Sequence, residues 1–471
     1  MVKPVVIIGA GPAGLACARR LVGSRVPVVV IDDNLQAGGQ YFRQLPPSYA
    51  AGPDSRLLRE TERLDMLFPV LRDPLVTYRP ATTAWAVHDP LTIDYAGPNG
   101  AGRVEAAAIV VATGAQDAPF PFPGWTLPGV ISAGGCLNLA KGHGLTPPGR
   151  IVVAGNGPLV LVAAATLAAA GAQVTHVIEA QPTWRVGAAM ARGALLSPSL
   201  LVKGIGYRAR LMKSGARFLS GAMVSRAIGD GALEAIEIAP VGGDGRPDLR
   251  SASRIEAATL VSGYGLLPGT EFVRMAGCRM VRDPLMGGWV PQRTSRFETS
   301  IANLYAVGDG AGIGGVEVAI VEGHLAAGAI IDGGASDAQA RRRYARLDRF
   351  RRVLSGAYVT TPRLSAATDE TVICRCEELR LADLKEAVLP GDPDLYRLKS
   401  ATRLGMGRCQ GRNCLTSAAH LFGLDHEDAA MPLPRMRPPA RPVRLRDLIE
   451  NKSIGPAREP DEANTPMKQE T

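Results

Sequence analysis

The sequence has little with which to cross-link itself or to build a histidine centre. Seven cysteines in 471 residues, with no leader ahead of them, argue against a disulfide scaffold and for a reducing compartment. The six histidines show no ligand spacing, and none sits beside a Ser or Cys in a way that suggests a triad, so core or surface roles are expected. The chain starts directly on the apolar "PVVIIGAG", and no signal peptide is expected. A charge-free run between Arg150 and Glu179 is long enough to imitate a membrane span. Gly155, Asn156, Gly157, Pro158 and Gly171 break it into strand, turn and short helix instead. The expectation is a cytoplasmic protein, at most peripheral to the inner membrane.

What is present describes a folded chain. Apolar residues make up 46% and charged residues 21%, which excludes disorder throughout and a multi-span membrane protein. The length suggests about three units. The net charge of +9 is partly local: "ARRRYARLDRFRR" (340–352) carries seven arginines, and the stretch after Met431 is rich in Pro and Arg. No nucleic-acid recognition module accompanies this charge, so nucleic acid is not an expected partner. Spacing sets Tyr344, Leu347, Phe350 or Arg351, and Leu354 along one helix face, able to pack while the arginines reach outward.

An internal repeat organises the chain. "VVIIGAGPAGLACARRLVGSRVPVVVID" returns as "IVVAGNGPLVLVAAATLAAAGAQVTHVIE", each copy a β-branched strand, a glycine turn, an Ala-rich helix and a second strand. The predicted fold class is α/β, with two nested Rossmann-like dinucleotide-binding domains built as three layers on parallel sheets, followed by a small helical C-terminal domain. "PFPFPGWTLPG" (119–129) and "VSGYGLLPGTEF" (261–272) read as the crossings between domains. The expected division is a split first domain (1–120 and 266–335), an inserted second domain (121–265), an Arg-rich connecting helix (336–369), a small unit (370–425) and an extended Pro/Arg-rich tail (426–471).

In "GAGPAG", Gly9 permits the tight turn, Gly11 lets the backbone approach a pyrophosphate, and Gly14 lets the helix pack on the strand. Pro12 and Ala13 open the helix whose positive end would face the phosphates. Asp32, followed by Asp33, ends the second strand where a carboxylate can accept from ribose hydroxyls. "GGQY" with Gly39 and Gln40, "IVVATGA" with Thr113 and Gly114, and "NLYAVGDGAG" with Gly308 and Asp309 follow in the order of a two-dinucleotide flavoprotein. Together these motifs resemble the thioredoxin-reductase-like flavin oxidoreductases, which implies FAD in this site. An adenine nucleotide such as ATP, without flavin, is the alternative occupant.

The second loop is degenerate. Gly155 and Gly157 hold the first two positions, but Val160 stands at the third, where a side chain forces helix and strand apart. Glu179 falls one residue later than Asp32 does in the first copy, a shift that turns a strand side chain to the opposite face. Nicotinamide binding is therefore doubtful. The inserted domain has no CxxC, which excludes a dithiol reductase mechanism, and Cys17, Cys136 and Cys278 read as buried apolar residues.

The remaining four cysteines form Cys374-x-Cys376 and, after 32 intervening residues, Cys409-x4-Cys414. Four thiolates in two pairs suit a 2Fe-2S cluster, each iron being completed by two sulfurs. Gly405, Gly407 and Gly411 would admit backbone N–H groups, and Arg408 and Arg412 would offset the cluster's charge. A structural zinc with four cysteine ligands is the alternative.

This unit resembles the bacterioferritin-associated-ferredoxin-like 2Fe-2S domain, with a final gap of four residues where that family has two. The longer gap in "GMGRCQGRNC", with "PFPGWTLPGV" (121–130), resembles the α subunits of opine oxidases (octopine and nopaline) and their relatives in hydrogen cyanide synthase and the D-hydroxyproline and L-proline dehydrogenase complexes, over about residues 1–425. The resemblance implies an electron-transfer subunit of an amino-acid or opine dehydrogenase, acting on CH-NH or CH-NH2 donors. It further implies a D-amino-acid-oxidase-like β subunit, a small third subunit, an FMN at the α–β interface and a respiratory electron acceptor. Two other readings stay open: a self-contained NAD(P)H-dependent ferredoxin-type reductase, and a non-catalytic scaffold holding nucleotide and zinc. No catalytic acid or base is identified.

Overall fold

The computed structural model describes residues 2–45, 66–88, 91–334, 337–358, 364–388, 394–424, 433–449 and 452–453. The chain opens with strand β1 (Val5–Ile8), helix α1 (Pro12–Gly23) and strand β2 (Val28–Ile31). Strand β3 (Val76–Arg79) joins them, a meander of β4 (Thr83–His88), β5 (Thr92–Gly97) and β6 (Gly100–Glu105) lies apart, and β7 (Ala108–Val111) returns. Then come β8 (Ala115–Asp117), β9 (Val130–Ser132), α2 (Ala133–His143), β10 (Ile151–Gly155), α3 (Pro158–Ala169) and β11 (Val174–Glu179). Helices α4 (Thr183–Ala194) and α5 (Pro198–Lys213) precede β12 (Arg217–Ser220), β13 (Ala222–Ile228), β14 (Ala235–Pro240), β15 (Ser253–Glu256) and β16 (Thr259–Gly263).

The return passes through β17 (Leu266–Pro268), α6 (Glu271–Met275), the hairpin β18 (Met280–Asp283) and β19 (Gly288–Pro291), and β20 (Leu304–Ala306). Helices α7 (Gly315–Asp332) and α8 (Ala338–Gly356) follow. The C-terminal unit holds β21 (Val372–Cys374), β22 (Leu379–Arg380), α9 (Leu381–Ala387), α10 (Leu395–Thr402) and α11 (Cys414–Leu421), and after it come α12 (Leu445–Ile449) and β23 (Lys452–Ser453).

Two five-stranded parallel sheets carry the fold, in the orders β20-β7-β1-β2-β3 and β12-β11-β10-β16-β9. Strands such as VVII, VVVI and IVVAG form them because both faces are covered by helices or by the antiparallel meanders, and only continuous apolar runs suit such a place. Side chains such as Ile7, Leu15 and Leu21 are fully buried, each contributing about 1.5–3 kcal/mol. Helix α7 crosses α1 at backbone contact: a Cβ on Gly323 would fall 2.0 Å from the Ala13 carbonyl oxygen. The charge-free run is β10, a turn, α3 and β11, and among the described residues no helix is long and apolar enough to cross a membrane.

Two expectations are corrected. In the second repeat Ile151 pairs with Val174 but Val152 pairs with His176, so Thr175 is an extra residue in a β-bulge. The bulge absorbs the insertion and restores Glu179 to a place opposite Gly155, rather than turning it to the other face. The Pro/Arg-rich stretch was expected to lie extended and unpacked, but over residues 433–449 it docks on the first domain. Met436 and Ala440 are buried in its core, Ala440 donates its N–H to the Trp85 carbonyl at 2.7 Å, and Arg274 donates to the Pro434 carbonyl at 2.6 Å. Apolar side chains among the prolines, and a carbonyl-seeking arginine on the surface they meet, supply the order that composition alone does not. Residues 454–471 of that stretch lie outside the described residues.

Candidate functional site

A cavity of about 1490 Å³ runs from the first glycine loop to the second. Gly9, Gly11, Pro12, Ala13, Asp32, Asp33, Gly39, Gln40, Thr113, Gly114, Gly308 and Asp309 all line it, so residues far apart in sequence meet at the carboxyl ends of one parallel sheet. Gly14 lies beneath the wall. A Cβ there would stand 2.0 Å from the Gly9 carbonyl oxygen, and Gly9 itself has φ +108° with the Ala112 carbonyl 2.4 Å from where its own Cβ would be. Glycine is required at both. Pro12 occupies the first turn of α1, where a missing N–H costs nothing.

Asp32 is buried. Its carboxylate accepts the Ala10 N–H at 2.5 Å, the Asn34 N–H at 2.7 Å and the Asn34 side-chain amide at 2.8 Å. Burial pushes its pKa up, and these donors pull the other way. The Gly38 N–H donates to the Ala10 carbonyl, which draws the Gly39 and Gln40 segment over the loop. On the opposite wall the Thr113 hydroxyl donates to the Gly269 carbonyl at 2.6 Å, and the Asp309 carboxylate accepts from the N–H groups of Gly314 and Gly315, both at 2.8 Å. Burial raises the Asp309 pKa as well.

An ionic cluster behind this wall was not anticipated from the sequence. Glu322, wholly buried, accepts from the Gly308 N–H at 2.8 Å and from Arg293 at 2.9 Å, and Arg351 stands 3.7 Å away. The available signal was a glutamate in the middle of the mostly apolar helix "GVEVAIVEGHLAAGAIID". Arg351 is thus buried against α7, while Leu347 and Phe350 on the same face of α8 are also buried.

In the second loop Val160 is buried, its Cγ2 2.8 Å from where a Cβ on Gly155 would be and near Gly263. Small neighbours on two strands make room for the side chain. Glu179 faces the cavity and accepts from the N–H groups of Gly157 and Gln181, each at 3.3 Å. Burial pushes its carboxyl up to about 8. Across the loop, the Asn156 side chain donates to the Tyr358 carbonyl at 2.7 Å, so the end of α8 is held against this site.

Cys374, Cys376, Cys409 and Cys414 come together. The Cys414 thiol is in hydrogen-bond contact with both Cys374 and Cys409, and Cys376 with Cys409. The contacts therefore link the two segments. The Cys414 thiol and backbone N–H groups, including those of Glu377 and Gly405, hold Cys374 down at about 6. The same thiol, with the N–H groups of Asn413 and Gly411, holds Cys409 at about 5. Gly407 packs on Cys376, where a Cβ would lie 2.2 Å from the Cys376 Cβ. Arg412 directs its guanidinium chiefly to an ion pair with Glu271 at 2.7 Å, a partner the sequence did not suggest, while its charge still acts on Cys409. Among the described residues no group of three or more His, Cys, Asp and Glu is arranged to hold a metal ion. Cys17, Cys136 and Cys278 are buried, and burial raises Cys17 to about 12 and Cys136 to about 11.

The cysteine unit docks on both nucleotide-type domains beside the cavity. Gln116, a cavity residue, donates to the Arg412 carbonyl at 3.0 Å, and the Trp125 indole N–H donates to the Val372 carbonyl at 2.7 Å.

Known proteins share this plan. The A-type subunit of opine oxidase from Agrobacterium tumefaciens is 33% identical over 474 residues, covering 94% of this chain and 91% of its own. Hydrogen cyanide synthase subunit HcnB of Pseudomonas aeruginosa is 32% identical over 447 residues, covering 87% of this chain and 90% of its own. The crystal structure of L-proline dehydrogenase from P. horikoshii superposes with a TM-score of 0.66 at 19% identity, covering 95% of this chain and 79% of that one, a likeness of fold. Residues 3–323, which hold both glycine loops, match the family model for pyridine nucleotide-disulphide oxidoreductases, and the chain belongs to that family of oxidoreductases.

Proposed function

We propose that this chain is the electron-transfer α subunit of a heteromeric flavin-dependent amino-acid or opine dehydrogenase. The observation that carries the reading is the docking of the cysteine segment on Gln116: the Arg412 carbonyl, between Cys409 and Cys414, is bonded to a residue of the nucleotide cavity. Two redox groups placed there would be neighbours. FAD takes two electrons together and releases them singly, and a 2Fe-2S cluster carries one, so a chain holding both converts between the two.

The first glycine loop and the walls around it fit the flavin nucleotide. Gly9, Gly11, Pro12, Ala13 and Gly14 would cradle the FAD pyrophosphate at the start of α1, Asp32 and Asp33 would take the ribose, and Gly39, Gln40, Thr113, Gly114, Gly308 and Asp309 would enclose the rest. The four cysteines form a chain of contacts, Cys374 to Cys414 to Cys409 to Cys376, in which the Cys414 thiol and backbone N–H groups hold Cys374 and Cys409 low while Cys414 and Cys376 are pushed up. In this reading Cys374, Cys376, Cys409 and Cys414 would hold the irons in pairs.

Substrate oxidation belongs to a partner β subunit of D-amino-acid-oxidase type in this reading, with an FMN at the shared interface and a respiratory acceptor downstream. The relatives named as subunits of opine oxidase and hydrogen cyanide synthase support such an assembly.

The test is an absorption spectrum of anaerobically purified protein, with iron, zinc and flavin analysis, before and after NADH. Flavin bands, broad iron-sulfur absorption, about two irons per chain and no bleaching by NADH are expected. A colourless zinc protein would overturn the reading, and rapid bleaching would identify a self-contained reductase.

A further inference from the structure

The inserted domain turns an unusual face outward. Trp184, Leu195, Val202, Ile205 and Met212 are 71%, 91%, 67%, 59% and 63% exposed. They are not scattered. On α5, Val202, Ile205, Ala209 and Met212 recur at three, four and three residues, which aligns them in one exposed stripe. On α4 and its C-cap, Trp184, Ala188, Ala191 and Leu195 recur at four, three and four, forming a second. The opposite side of α5 is satisfied: Leu211 is buried in the core under α3.

Charge on this hairpin has one sign. Residues 180–217 hold seven Lys and Arg and no Asp or Glu. At 100° per residue Arg208 flanks the α5 stripe on one side, and Arg210 and Lys213 flank it on the other. The Arg185 guanidinium lies over the Trp184 ring, 5.8 Å from its centre.

We infer that α4 and α5 form a docking face for an anionic lipid bilayer. A helix with an apolar stripe, an interfacial tryptophan and cations along both margins is the pattern that lies in a headgroup layer, with the stripe among the acyl chains and the cations among the phosphates. A second copy of this face is excluded as the occupant, because two surfaces bearing only cations repel. Val186, Met190 and Leu201 wall the cavity, and Ile205 of the stripe with its flanking Arg208 and Arg210 reaches the cavity's rim, so docking sets that cavity beside the bilayer. This adds a location to the proposed electron route and rests on it only for its purpose.

The experiment is flotation of the purified full chain with vesicles of phosphatidylcholine alone and of equimolar phosphatidylcholine and phosphatidylglycerol. The chain is expected to float with the anionic vesicles only, and to be released progressively by salt. Each cation lost should weaken binding about fivefold, so Arg210→Glu with Lys213→Glu should lower the bound fraction at least tenfold. Trp184→Ser with Val202→Ser and Met212→Ser should do the same, with an unchanged unfolding midpoint because these side chains are exposed. A wild-type chain that stays at the bottom, or two variants that float like wild type, would overturn the proposal. So would loss of a co-purifying subunit in the serine variant without vesicle binding by the wild type, which would make this face a protein interface. Flotation requires no electron transfer, so a colourless chain that floats would overturn the cofactor reading alone.

Discussion

Glu322 accepts the backbone N–H of Gly308 at 2.8 Å from the middle of α7, while wholly buried. The carboxylate thereby fixes the turn that carries Gly308 and Asp309 into the cavity, and Arg293 and Arg351 neutralise it. Glu322→Ala leaves two buried guanidinium groups without their shared counter-charge. A loss of about 3–5 kcal/mol in urea unfolding is expected, together with weaker flavin retention on gel filtration. Equal stability to wild type would show that the cluster is not what holds this wall.

The two glycine loops allow a swap. Gly14→Val copies the second loop into the first, but its Cβ would meet the Gly9 carbonyl at 2.0 Å, whereas Val160 fits over glycines. Flavin content per chain is expected to fall about tenfold or more, a cost of about 1.4 kcal/mol in binding. Val160→Gly should leave flavin content unchanged and cost about 1.5–3 kcal/mol of stability through lost burial.

Glu179 predicts a pH dependence of stability. Burial holds its proton in the folded chain up to about 8, while the unfolded chain releases it near the ordinary 4.5. Between those values the folded state binds more protons, so stability falls as pH rises through this window. Urea midpoints from about pH 5 to about pH 9 should decline in the wild type and decline less in Glu179→Gln. Parallel profiles would show that the carboxyl titrates normally.

Arg412 anchors the C-terminal unit. Its partner Glu271 is buried in α6, so Arg412→Ala strands a buried carboxylate and should cost about 3–5 kcal/mol. Limited proteolysis should then cut before residue 370 sooner than in the wild type. Unchanged cleavage would locate the anchoring elsewhere, at the Trp125 contact with Val372.

Cys409→Ser removes the sulfur in contact with both Cys376 and Cys414. On the proposed function it should strip most of the iron while flavin content stays at wild-type level. Retention of iron in that variant would count against these four cysteines as the ligands.

Much of the plan was legible because it rests on local chemistry. β-Branched runs and the glycine turns named both strand-turn-helix repeats, and the order of the later motifs brought Thr113 and Asp309 to the same cavity as Gly9. The bulge at Thr175 was hidden, since counting residues assumes an unbroken ladder and a bulge is a backbone event that no side chain announces. The Glu322 cluster was hidden for another reason: its arginines lie 29 residues away on either side, Arg293 just after β19 and Arg351 on α8, and only tertiary packing around α7 unites them. The Arg412 charge does act on Cys409, but its main partner was hidden because Glu271 becomes its neighbour only when α6 packs beneath. The order of residues 433–449 likewise depends on surfaces at Trp85 and Arg274 that composition does not contain.

The first sheet takes its edge strand β20 from residues 304–306, although its neighbour β7 ends at residue 111. During synthesis at about 5–20 residues per second, the intervening stretch of about 190 residues takes roughly 10–40 s to appear. Over that interval β7 presents a bare row of peptide groups on one side, the kind of edge that pairs with stray strands. The second sheet meanwhile draws all its strands from residues 130–263 and can close as soon as β16 emerges. The domain that begins first is therefore the last to be completed, and its open edge sets the interval in which a nascent chain most needs protection from its neighbours.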